Sequence, residues 1–391
     1  MRKSRRAVTI VAATTATALA GISVAIALPF ASRGGGSADS LRALGSRVHL
    51  AVGTAVIPSE LDGAQTAAII ADQFSSVTPG NDMKWEVVEP TRGTYDWSAA
   101  DRLVAFAEAH GQQVRGHTLL WHNQLPNWLT SGVANGTISK AELKALLHKH
   151  VTDEVTHFKG KIWQWDVANE FFANGWDAHP LADGINGDDW WVQNLGEGVV
   201  AEAFRWAHAA DPQALLFYND FNGAGQDGTN AKFQSIYNWV QAQRNAGVPI
   251  DGVGEQGHLD TQYGFSPQRF TEDLQAFSEL GVKVAVTEAD VRTFVDSAAT
   301  QVPTDSLGLF AQPYEFSAMP QACLATRNCI SFTAWGFWDT NSWVPGWFKG
   351  EGYATLYDVN LHAKPVLFDL QRDLRLAAGA PRRRGTVEGE H

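Results

Sequence analysis

The chain is short of cysteine, of basic residues and of ligand-spaced histidines. Only two of its 391 residues are cysteine, Cys323 and Cys329. No run of Cys, His and carboxylates has metal-ligand spacing, and no glycine-rich phosphate-binding loop follows a strand-like segment, so neither a metal nor a cofactor is expected. Lys and Arg number 30 against 42 Asp and Glu, a formal net charge of −12. Nothing in that balance neutralises a phosphate backbone, which argues against a nucleic-acid partner. What is abundant is tryptophan, with 15 residues. A buried indole N–H needs a partner, so an excess of Trp fits flat platforms for a ligand as well as a large aromatic core.

The N-terminus reads as a targeting segment. Arg2, Lys3, Arg5 and Arg6 precede an Ala/Thr/Val/Ile-rich stretch from Ala7 to Leu28, followed by small residues and Gly34-Gly35-Gly36-Ser37. Residues 1–37 are therefore expected to be a signal peptide with a short spacer, cleaved after Ala27 or Ala31, and the product to be secreted without stable membrane association. The stretch is also long enough to span a bilayer, so an uncleaved anchor is the alternative. Arg5-Arg6 permits a twin-arginine route. Export suits the two cysteines, which an oxidising compartment would let close into a short loop; two buried free thiols are the other reading. Residues 38–379 contain no linker and no short repeat, and read as one domain and a monomer. Residues 380–391 are polar and Arg-rich and read as a disordered tail.

Within the domain, apolar strand candidates alternate with helix-period segments. The strands are Val48–Val56, Phe74–Thr78, Gln113–Leu120, Ile162–Ala168, Ala214–Asn219, Gly252–Leu259, Val282–Thr287 and Ile330–Ala334. Helical periodicity marks Ala99–Ala109, Lys140–His157, Gly198–Ala209, Ala231–Ala246 and Pro267–Leu280. Eight strands in this alternation predict an α/β fold of the (β/α)8 TIM-barrel type; an open doubly wound sheet is the alternative, disfavoured by the lack of an early glycine fingerprint.

Two of these strands end on glutamate. Trp163–Glu170 reads W-Q-W-D-V-A-N-E and Val284–Asp290 reads V-A-V-T-E-A-D. An unpaired carboxylate at a core edge is costly, so a strand this apolar that stops at one is better explained as a mount for a reacting group. Two such carboxylates are what glycosidic-bond hydrolysis uses. In a barrel, function gathers at the carboxyl ends of the strands. The predicted strand ends bring His117, Trp121, His122, Gln124, Asn169, Glu170, Asn219, Asp220, Gln256, His258, Glu288, Asp290 and Trp335 to one rim, a polar and aromatic set suited to carbohydrate.

These motifs resemble glycoside hydrolase family 10, the barrel xylanases, over about Leu41 to Leu370. The resemblance is carried by T-P-G-N-D-M-K-W at Thr78–Trp85, R-G-H-T-L-L-W-H-N-Q at Arg115–Gln124 and W-D-V-A-N-E at Trp165–Glu170. It continues through P-I-D-G-V-G-E-Q-G-H-L at Pro249–Leu259, V-T-E-A-D at Val286–Asp290, W-G-F-W-D-T-N-S-W at Trp335–Trp343 and G-E-G-Y-A-T-L-Y-D at Gly350–Asp358. It implies a secreted endo-β-1,4-xylanase that retains configuration, with Glu170 as acid/base and Glu288 as nucleophile. By the same resemblance His258 and Asp290 support the nucleophile and Asn169 binds the sugar 2-hydroxyl. Asn81, Lys84, His117, Gln124 and Gln256 form a sugar-binding set, while Trp121, Trp335 and Trp343 are stacking walls. Asp166 is expected to be a buried structural carboxylate.

The departures carry their own expectation. The family usually has glutamate where this chain has Gly80, a longer acid at Asp82, and arginine at Val344; Glu255 and Ala289 also stand where other residues are usual. These changes are expected to fall on the distal sugar pocket and spare the hydrolytic machinery. Losing the side chain at 80 removes a charge-assisted hydrogen bond of about 1.5–3 kcal/mol. The partner is thus a polysaccharide or oligosaccharide. The alternatives are a retaining β-glycosidase with a shifted substrate, such as a saponin oligosaccharide, and a non-catalytic carbohydrate-binding barrel.

Overall fold

Strand and helix alternate eight times, as the periodicity requires. The computed structural model describes residues 37–225 and 230–379; the expected leader, all but its last residue, and the expected tail lie outside the described residues. The strands are β1 (Ala51–Val56), β2 (Ser76–Pro79), β3 (Gln113–Leu120), β4 (Ile162–Asn169), β5 (Leu215–Asp220), β6 (Gly252–Glu255), β7 (Lys283–Phe294) and β8 (Cys329–Ala334). The helices that follow them in turn are α1 (Ala64–Gln73), α2 (Ser98–Ala109), α3 (Lys140–His157), α4 (Val199–Ala210), α5 (Ala231–Asn245), α6 (Pro267–Glu279), α7 (Gly308–Ala325) and α8 (Pro365–Gly379).

Every neighbouring pair of these strands is parallel. β8 returns to pair with β1, Gly53 opposite Thr333, and closes the sheet into a (β/α)8 barrel. Closure explains the near-continuous apolar strands. With helices outside and packed side chains inside, both faces of a strand are covered, and all six residues of β1 are buried. Helix starts follow local chemistry. Ser139 caps α3 by accepting from the Glu142 N–H, and Ser266 caps α6, with Pro267 in its first turn. Gly116 of β3 is required by packing, because a Cβ there would lie 2.2 Å from the buried Trp165 ring.

β3 and α3 have the bounds that the sequence predicts, β1, β2, β4, β5 and β8 shift by one to three residues at an end, and β6 and β7 differ in course. The sixth candidate does not run unbroken to Leu259. β6 stops at Glu255, Gly257 turns with φ +79°, and a short strand, His258–Asp260, resumes beside Asp290–Arg292 of β7. The seventh candidate does not end before Glu288. β7 continues to Phe294, because that short strand on one side and Glu351–Gly352 on the other supply new ladder partners. Glu288 is therefore a mid-strand residue, its N–H bonded to the Gln256 carbonyl at 2.8 Å.

Cys323 near the end of α7 and Cys329 at the start of β8 form a disulfide, with Cα atoms 5.2 Å apart. It lies at the amino end of the strands, away from the predicted rim. Closing so short a loop contributes about 2–3 kcal/mol in the chain-entropy account. Among the described residues no helix is long and apolar enough to cross a membrane.

Candidate active site

The floor of the site is a buried ion cluster inside the barrel. β3 directs Arg115 and His117 inward, β4 directs Asp166, and β7 directs Glu288. Arg115 donates through Nε to Asp166 Oδ1 at 3.3 Å, through Nη2 to Asp166 Oδ2, and through Nη1 to the Thr287 carbonyl at 3.0 Å. Its Nη2 is also 3.7 Å from Glu288 Oε1. His117 Nδ1 lies 2.8 Å from Asp166 Oδ2 and 3.8 Å from Glu288 Oε1. Arg115 and Asp166 are both 1% exposed or less. Charges that deep persist only when each is answered, and removing one partner of such a pair typically costs about 3–5 kcal/mol.

Around Glu288 the donors converge. Asn219 Nδ2, at the end of β5, donates to Oε1 at 2.7 Å. His258 Nε2 is 3.4 Å from Oε2, and its Nδ1 is 3.0 Å from Asp290 Oδ2. Trp343 Nε1 also donates to Asp290 Oδ2, at 2.7 Å. Burial alone would raise the Glu288 pKa, but His117, His258 and Arg115 outweigh it and hold the carboxyl down at about 2. Burial likewise disfavours the His258 imidazolium, yet Asp290 and Glu288 push it up to about 10. The pair is a fixed cation and anion.

Glu170 sits differently. It is the first residue past β4 and adopts φ +62°, a left-handed conformation uncommon for a side chain of this size. Such strain is retained where the surroundings impose it, often at functional positions. Its backbone N–H is tied to the Asn219 carbonyl at 3.0 Å. Trp121 Nε1 donates to Oε2 at 2.7 Å and Gln256 Nε2 to Oε1 at 2.9 Å. Gln256 also reaches Asn169 Oδ1 at 3.3 Å, which in turn accepts from Asn219 at 2.8 Å. Three side-chain amides thus link the two glutamates without a break.

A second set lies on β2, β3 and the loops after them. Lys84 Nζ donates to Asn81 Oδ1 at 3.1 Å and stands 4.8 Å from the Trp121 ring centre. Gln124 bridges Asn81 Oδ1 at 3.2 Å and Glu86 Oε1 at 3.0 Å. Burial lowers the Lys84 pKa, and Glu288 and Glu170 pull it back up. Opposite, the half-buried Trp335 meets the edge of His117 at 5.1 Å, and Trp343 meets His258 at 5.1 Å. Of the residues that the sequence places at the rim, all belong to one of these neighbouring groups except His122, which faces Asp189 at 2.9 Å, and Asp220, which pairs with Lys232 at 2.8 Å.

Some sequence expectations need correction. Glu255 does not line a sugar pocket. It is buried beside Gly223 and Ile236, with Asp220, Lys232 and Asp273 in electrostatic reach, and burial drives its pKa well up. Ala289 and Val344 are fully buried and reach no cleft either. Of the five departures, only Gly80 and Asp82 keep partial exposure on the binding edge. The sequence reading also left Arg115, Asn219 and Thr287 without roles. A charged or amide side chain inside an otherwise apolar strand of a closed barrel was the available signal. His117, Asp166 and Glu288 offer ligand atoms within 4.8 Å of one another, a spacing that suits a metal ion. The Arg115 guanidinium already stands among them and supplies the positive charge that such an ion would bring.

Comparison with known proteins agrees with this geometry. Residues 40–372 match the model of glycosyl hydrolase family 10. An endo-1,4-beta-xylanase of Agaricus bisporus is 38% identical over 316 residues, 80% of this chain and 88% of that protein. Endo-1,4-beta-xylanase B of Thermotoga neapolitana is 36% identical over 342 residues, 86% and 92% of the two chains. The crystal structure of xylanase 10B from Thermotoga maritima superposes with a TM-score of 0.77 at 33% identity, covering 87% of this chain and 99% of that one. Xylanase 10B from Thermotoga petrophila RKU-1, solved with xylobiose, gives 0.77 at 33% identity over 87% and 98%.

Proposed function

The chain belongs to glycosyl hydrolase family 10, and on that premise we propose that it is a secreted endo-β-1,4-xylanase acting with retention of configuration. The observation that carries the reading is the unbroken amide chain between Glu170 and Glu288, one of which is held ionised from below. In this reading Glu288 attacks the anomeric carbon while Glu170 gives its proton to the departing glycosidic oxygen. A glycosyl-enzyme forms. Glu170, now a carboxylate, takes a proton from water, the water oxygen attacks the same carbon, and Glu288 leaves. His258, itself held by Asp290, keeps the nucleophile ionised and aimed. Asn169 meets the 2-hydroxyl; Asn81, Lys84, His117, Gln124 and Gln256 hold sugar hydroxyls; Trp121, Trp335 and Trp343 form the walls. The disulfide between Cys323 and Cys329 supports export to an oxidising compartment.

The test is a panel of xylan, xylo-oligosaccharides, cellulose and plant glycosides, with the first product anomer read by NMR. Rapid cleavage of internal xylan bonds with the β-anomer appearing first is expected. An α-anomer appearing first would refute retention, and inertness towards xylan would refute the substrate. One observation favours the shifted-substrate reading. Gly80 is not in the left-handed region, and a Cβ there would meet only Ile57 Cγ2 at 3.3 Å and the Val56 carbonyl at 3.6 Å. Backbone geometry therefore does not demand glycine. Beside it Asp82 Oδ2 is buried with no hydrogen-bond partner among the described residues. A higher kcat/KM on a plant glycoside than on xylan would select that reading.

A further inference from the structure

Asn219 is held by hydrogen bonds at both ends of its side-chain amide. Thr287 Oγ1 donates to its Oδ1 at 2.6 Å, so its NH2 group must face the other way. There it finds two acceptors, Glu288 Oε1 at 2.7 Å and Asn169 Oδ1 at 2.8 Å. An ionised carboxylate only accepts, so the reversed amide would set oxygen against oxygen. The arrangement has been given room. A Cβ on Gly254 of β6 would lie 2.4 Å from Asn219 Oδ1 and 2.8 Å from Thr287 Cγ2. Asn219 is fully buried, and the hydrogen bonds of its amide go to Thr287, Glu288 and Asn169.

The consequence falls on Asn169. Its Oδ1 accepts from Asn219 and, at 3.3 Å, from Gln256, so its NH2 group is the end left over. That Nδ2 has no hydrogen-bond acceptor among the described residues, and it belongs to the residue immediately before Glu170. We propose that Asn219 is a positioning residue that performs two tasks through one amide group: it holds the attacking oxygen of Glu288 and it turns the Asn169 NH2 toward the sugar 2-hydroxyl. Recognition of that hydroxyl and placement of the nucleophile are then coupled, with Thr287 and Gly254 setting the amide. This rests on the retaining-hydrolase reading above.

The experiment uses the full-length enzyme and two substrates, an aryl β-xylobioside and its analogue lacking the 2-hydroxyl on the sugar at the cleavage point. Asn219→Ala should lower kcat/KM on both, and should also shrink the preference for the 2-hydroxy substrate by about tenfold. Thr287→Val, which keeps the shape but frees the amide to turn, should shrink the same preference by a smaller factor. In Asn169→Ala the preference should already be small, and adding Asn219→Ala should shrink it no further. Equal loss on both substrates in Asn219→Ala would overturn the coupling and leave a merely structural residue. If Asn219→Ala does not fold, Thr287→Val decides: an unchanged preference there overturns the proposal. A wild-type enzyme that cleaves neither substrate would instead overturn the xylanase reading, so the two failures are distinguishable.

Discussion

The nucleophile pocket and the distal binding edge are built on opposite plans. Around Glu288, Arg115, His117, Asn219 and His258 approach from β3, β5 and the segment after β6, and His258 is itself held by Asp290, which Trp343 holds in turn. Along the edge from Gly80 to Gln124, hydrogen bonds are fewer. Asn81 Oδ1 serves both Lys84 and Gln124, Asp82 Oδ2 has no partner among the described residues, and a side chain is absent at 80. The difference follows from what each region must do. A group that attacks has to be charged and aimed before the ligand arrives, so the protein supplies all its partners. A group that recognises must keep polar atoms open, because the ligand supplies the missing ones.

The most direct way to break the first plan is Glu288→Gln. An amide cannot attack, so turnover of every substrate should fall by about four orders of magnitude or more. More than a few per cent of the wild-type rate in a contamination-free preparation would remove Glu288 from that role. Glu170→Ala should cost about 10²–10⁴-fold on xylan and far less in the first step on an aryl xylobioside with a good leaving group. That variant should then stall as glycosyl-enzyme, and azide should release a β-glycosyl azide. An α-azide, or no rescue, would contradict the acid/base assignment.

A subtler probe is pH. The Glu288 pKa is depressed from 4.5 to about 2, so the stability its charge contributes is fully present above 4.5 and is lost as pH falls through about 2. His258 is raised from 6.5 to about 10, so its contribution is full below 6.5 and is lost as pH rises through about 10. His258→Asn removes the cation facing Oε2 and leaves the Asp290 charge close by. The acid limb of kcat/KM should rise by about one pH unit or more; an unmoved limb would show that Arg115 and His117 suffice. The smallest effect belongs to the second region. Gly80→Glu should improve kcat/KM on xylan by about tenfold and reduce activity on any bulkier preferred substrate. Both ratios within about twofold of the parent, in a folded variant, would make the glycine neutral.

Much of this was legible in one dimension. The eight-fold alternation and the strand-end residues Asn169 and Glu170 follow from local periodicity, because a strand buried on both faces must be apolar and a carboxylate in it stands out. β7 was less legible. Its extension to Phe294 depends on partners at 258–260 and 351–352, and no local pattern announces them. Glu255 misled for a related reason. It neighbours the site residue Gln256, yet successive strand residues point to opposite faces, and its own face is the outer one.

By itself, the sequence determined the architecture and which residues were chemically out of place in it, since hydrophobic periodicity and isolated polar groups are properties of the string. Only the tertiary structure decided how those groups partition the work. That Arg115 supplies a positive charge beneath Glu288, and that Thr287 fixes Asn219, are facts about atoms 2.6–3.7 Å apart contributed by residues up to 173 positions apart (288 − 115). Electrostatic and hydrogen-bond energies depend on distance and direction in space, and closing the barrel is what sets both.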